Sequence, residues 1–98
     1  MKPCVFHPEA SEELIAAVDY YAAIRPELGD QLSDEVERLV RQIGENPTRF
    51  FRFNRPTRRA LSRRFPYSVV YLEQADRVWI VAVMHTKQRP GYWKHRLV

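Results

Sequence analysis

The chain has a single cysteine, only three glycines and, from Asn46 to Leu72, no acidic residue. One thiol cannot form an internal disulfide, so a stapled secreted scaffold is excluded and a reducing cytoplasm is the expected location. Cys4 lies in the apolar run Cys4-Val5-Phe6, the setting of a packing residue rather than a nucleophile. No stretch approaches the ~18 apolar residues of a membrane span, and Met1-Lys2-Pro3 does not open a secretory leader. Histidines and carboxylates nowhere show metal-ligand spacing. A metal-dependent nuclease is therefore not expected, since the basic half lacks a carboxylate clamp, and no metal or cofactor is implied.

The charge that is present divides at Asn46. Met1 to Glu45 holds ten acids against four bases, a balance of −6, and Asn46 to Val98 holds twelve bases against Glu73 and Asp76, a balance of +10. The two sum to the net +4. Solvated surfaces mix both signs, so the run Arg49, Arg52, Arg55, Arg58, Arg59, Arg63 and Arg64 points to an oppositely charged partner. Arginine outnumbers lysine thirteen to three, which suits forked contacts to phosphate or carboxylate. A protein partner would be expected to cover this half with an acidic, amphipathic segment that folds on binding.

Ninety-eight residues, 45% of them apolar, predict one globular domain over 1–98. Val5 and Phe6 end a short strand. Pro8 suits a first helical position, and Ala10, Leu14, Ala17, Val18 and Tyr21 recur on one helical face. Pro26 closes that helix and opens a second with the stripe Leu28, Leu32, Val36, Leu39, Val40 and Ile43, stopped between Gly44 and Pro47. So short a link predicts an antiparallel helical hairpin, with the acids on its outer face. Three strands follow, at Arg58–Arg64, Tyr67–Leu72 and Val78–His85. In the last, Val78, Ile80 and Ala82 alternate with Trp79, Val81 and Val83, so both faces are apolar and the strand should be central. The expected class is α+β: an N-terminal strand, a helical hairpin and a three-stranded antiparallel meander, forming one mixed or antiparallel sheet on two helices.

Strand alternation sends Arg59 and Arg63 to one face of the first meander strand, and Arg58, Ser62 and Arg64 to the other. Such a pair can bracket a phosphate, or can simply charge an edge strand. His85 ends the central strand, where a proton-exchanging side chain or a hydrogen-bonded core histidine would both fit. The tail interleaves Lys87 and Arg89 with Tyr92 and Trp93, a mixture suited to an exposed nucleotide or to sealing the sheet.

Phe6-His7-Pro8-Glu9-Ala10, Tyr20-Tyr21, Pro26-Glu27-Leu28-Gly29, the run Arg58 to Tyr67 with Val70-Tyr71, and His85 through Arg89-Pro90-Gly91-Tyr92-Trp93 follow one another along the chain. In this order they resemble the RelE/ParE superfamily of bacterial toxins. The resemblance implies a type II toxin, often associated with plasmid stabilisation and neutralised by a cognate antitoxin. RelE-like members cut messenger RNA on the ribosome without metal. By that analogy Arg59 and Arg63 would stabilise the phosphate, His85 would transfer a proton, and Tyr92 would stack or assist. Arg58, Arg64, Lys87 and Arg89 would hold the nucleic acid. ParE-like members instead bind DNA gyrase without catalytic groups, and a degenerate toxin would bind antitoxin alone. The expectation taken forward is the nuclease, with gyrase binding as its alternative.

Overall fold

Proline sets both helix starts in the computed structural model, which describes residues 1–97. Strand β1 (Cys4–Phe6) leads into helix α1 (Pro8–Ile24), and the His7 ring caps that helix, Nδ1 accepting from the Glu9 N–H at 3.0 Å. Arg25 alone links α1 to α2 (Pro26–Glu45). The helices cross closely because Gly29 has no side chain: a Cβ there would stand 2.8 Å from the Ala22 Cβ. Strands β2 (Arg58–Leu61), β3 (Tyr67–Glu73) and β4 (Val78–His85) follow, and a short 3-10 turn spans Lys94–Arg96.

The sheet order is β1-β4-β3-β2, with β1 parallel to β4 and the other pairs antiparallel. This is the expected α+β architecture, a mixed sheet on a helical hairpin. On its first face Leu32, Val36, Leu39 and Ile43 of α2, with Ala10 and Ala17 of α1, pack against Val69, Tyr71, Val78 and Ile80. Burying each of the larger aliphatic side chains contributes about 1.5–3 kcal/mol. On the second face Val70, Val81, Ala82 and Met84 are roofed by Trp93, with Phe53, Leu72 and Tyr92 at its margin. Trp93 is fully buried and stacks on Phe53, ring centroids 5.6 Å apart.

Beyond Ile80 the simple alternation of β4 fails. Val70 pairs with Ala82 but Tyr71 with Ile80, so Val81 is an extra residue in a bulge. Val81 and Ala82 consequently share the second face, and Ala82 does not lie with Val78 and Ile80.

The first meander strand is also shorter than expected. It stops at Leu61 because the Ser62 hydroxyl accepts from the N–H groups of Arg64 (3.2 Å) and Phe65 (3.1 Å) while donating to Glu35 at 2.8 Å. Arg63 and Arg64 therefore leave the strand, and alternation no longer fixes their direction.

Nor do the hairpin's acids all face outward. Glu35 is buried beneath Ser62, and Glu13 reaches the sheet, while Ile15, Tyr20 and Ile24 are exposed. Where β1 ends, side chains seal the open rim of β4. Glu13 accepts from the Val83 N–H at 3.0 Å, Gln88 accepts from the His85 N–H at 2.8 Å, and Arg96 donates to the Val81 carbonyl at 3.1 Å.

Candidate functional site

The connection from Pro47 to Thr57 folds back along β2. The Arg59 N–H donates to the Phe51 carbonyl at 3.1 Å, and Arg52 bridges Arg58. Thr57 pins the bend, its hydroxyl donating to the Phe53 carbonyl and, at 2.9 Å, to that of Asn54. Between this segment and the C-terminal half of α2 opens a groove of about 890 Å³. It is lined by Arg38, Arg49, Arg52, Arg59 and Arg63, with Phe50, Phe51 and Phe53 among the other residues. Arg59 lies over the Phe53 ring, 4.2 Å from its centroid, and Arg49 lies 5.5 Å from that of Phe50. Arg38 is held by Glu35 at 2.9 Å, and that hydrogen bond lowers the Glu35 pKa against the opposing effect of burial. Among the described residues Arg49, Arg52, Arg59 and Arg63 have no ion-pair partner.

The structure thus brings Arg59 and Arg63 to one groove, though by a loop rather than by strand alternation. The other candidates lie elsewhere. Arg58 is a structural clamp, donating to the Phe50 carbonyl at 2.8 Å and the Thr48 carbonyl at 3.4 Å. Arg64 donates to Gln31 at 2.8 Å beside the Phe65 ring. Directly paired strand residues share a face, so Arg59, opposite Val70 and hence level with Ala82, points to the second face. His85 pairs with Tyr67, three positions from Val70, and so points to the first. It lines a separate cavity of about 350 Å³ with Glu13, Tyr20, Tyr67 and Gln88. Its Nδ1 accepts from the Lys87 N–H at 3.0 Å. Lys87 and Arg89 are exposed beyond the end of β4.

Tyr92 is not free to stack on a base or exchange a proton near neutrality. Its hydroxyl donates to Glu13 at 2.7 Å and its ring lies under Arg96. Burial, then the bond to Glu13, push its pKa upward. Among the described residues no group of three or more His, Cys, Asp or Glu is gathered that could hold a metal.

A family profile described as "ParE toxin of type II toxin-antitoxin system, parDE" matches residues 4–90. The chain belongs to this ParE toxin family. A solved structure described as "Chromosomal ParDE TA system from P. aeruginosa" matches the fold with a TM-score of 0.75 at 17% sequence identity. The match covers 87% of this chain and 96% of that one. No curated protein sequence matches the chain. No helix of this ParE-family chain is long and apolar enough to cross a membrane, among the described residues.

Sequence reasoning missed the residue that organises the C-terminal end of this ParE-family fold. Arg96 is buried and bonds Glu9 at 3.1 Å and both oxygens of Glu13 at 3.0 and 3.1 Å, while its carbonyl accepts from the Trp79 indole at 3.0 Å. Burial alone would lower the Arg96 pKa, but Glu13 and Glu9 beside it leave it raised. One signal was available: Glu9 and Glu13 stand four apart on one helix face, a like-charged pair that calls for a cation.

Proposed function

We propose that this chain is a growth-inhibiting toxin, held in check by a cognate antitoxin, that acts in the cytoplasm by binding DNA gyrase rather than by cutting RNA. The observation that supports this reading is the separation of the candidate catalytic groups. Attack by an RNA 2′-hydroxyl on its own phosphate needs a base, an acid and a charge stabiliser around one phosphorus, with proton donors about 2.6–3.2 Å from the atoms they serve. Arg59 and Arg63 line the groove between α2 and the segment before β2, His85 lines a separate cavity beside α1, and Tyr92 is tied to Glu13. A binding surface needs no such convergence, and membership of the ParE family agrees with it.

One observation favours the runner-up, ribosome-dependent cleavage of messenger RNA: Arg59 and Arg63 do share a groove able to take a phosphate. Induced expression without antitoxin separates the two readings. Gyrase inhibition predicts loss of supercoiling activity by purified gyrase, DNA damage before translation stops, and undiminished toxicity in His85→Ala. Cut ribosome-bound message, abolished by His85→Ala and by Arg63→Ala, would reverse the conclusion.

A further inference from the structure

We infer that the arginine groove along β2 is a binding site for single-stranded nucleic acid, with Phe51 as the platform for one unstacked base. This goes beyond the proposed target and does not rest on it. Arg49, Arg52, Arg59 and Arg63 line the groove with no carboxylate of the described residues paired to them, while Arg38, which also lines it, has Glu35. The ring of Phe51 is 88% exposed at the same groove, in a chain that buries Trp93 completely. Phe51 is held there, not dangling, because its carbonyl accepts from the Arg59 N–H.

The chemistry of these groups selects the ligand. Phosphodiesters satisfy guanidinium forks, and a base face covers a phenyl ring; one nucleotide supplies both within a single repeat. Arg59 and Arg49 lie against phenyl rings, which limits the directions in which each guanidinium can point. A duplex offers phosphates but keeps its bases stacked inside. An acidic peptide offers carboxylates but need supply no planar group for Phe51.

Fluorescence anisotropy of labelled oligo-dT and oligo-U with the whole protein tests this. Four arginines on phosphates predict that raising salt from about 50 to about 200 mM weakens binding roughly 50-fold, from a single-strand slope of about −0.7 per contact. Phe51→Ala, at an exposed position, should weaken binding about tenfold and leave the salt slope unchanged. Arg49→Ala should lower that slope. Tighter binding of oligo-dT assigns the site to DNA and of oligo-U to RNA; either upholds it. Any of three results overturns it: no binding at the lower salt, equal affinity of wild type and Phe51→Ala, or equal competition by blunt duplex or poly-glutamate.

Discussion

Arg96 grips both carboxylate oxygens of Glu13, at 3.0 and 3.1 Å, although 83 residues separate the two in sequence. The pair fastens the C-terminal turn to α1 and, through the Val81 carbonyl and the Val83 N–H, to β4. Removing one partner of a buried pair costs about 3–5 kcal/mol, and the partial exposure of Glu13 reduces this through solvent screening. Arg96→Ala should therefore destabilise the fold by about 2–3 kcal/mol, read as a lower urea midpoint. An unchanged midpoint would mean that the C-terminal turn contributes nothing to stability.

Leu39 lies almost wholly buried between α2 and the sheet. Leu39→Ala should cost about 2–5 kcal/mol by equilibrium unfolding, the range for deleting a buried leucine side chain.

Acid should weaken the fold at a definable place. Arg38 and, after it, Ser62 hold the Glu35 carboxyl below its ordinary value of 4.5 despite burial. A depressed folded-state pKa contributes stability above the unfolded value and loses it as pH falls through the folded one. Stability should thus decline below about pH 4.5, and Glu35→Gln should flatten that part of the profile. Parallel curves for the two proteins would remove Glu35 from the account.

Tyr92→Phe deletes the hydroxyl bonded to Glu13. Losing a hydrogen bond to a charged group should reduce stability by about 1.5–3 kcal/mol, while growth inhibition at permissive temperature persists. A stable but non-toxic variant would return Tyr92 to the functional site.

The Ser68 hydroxyl is buried with no hydrogen-bond partner among the described residues. Ser68→Ala removes a desolvated polar group, so thermal unfolding should be unchanged or shifted slightly upward.

Periodicity made the helices legible because proline marks their starts and aliphatic residues repeat at three and four along α2. The central place of β4 was legible from its apolar faces. What could not be read was local: one bulge at Val81 and one serine hydroxyl at Ser62, each of which resets direction for every residue after it. Strand parity therefore failed for Ala82 and for Arg63. Of the site, the basic groove was foreshadowed by an acid-free stretch, whereas the distance of His85 from it depended on sheet register, which no composition reveals.

Glu13 and Gln88, bonded to the N–H groups of Val83 and His85, also keep that part of β4 from serving as a free sheet edge. A strand from a second molecule would find those two donors already occupied. On β2 the Arg59 N–H is likewise taken, by the Phe51 carbonyl. The flank of β4 beyond β1 and the outer flank of β2 thus each meet another chain with part of their backbone already satisfied.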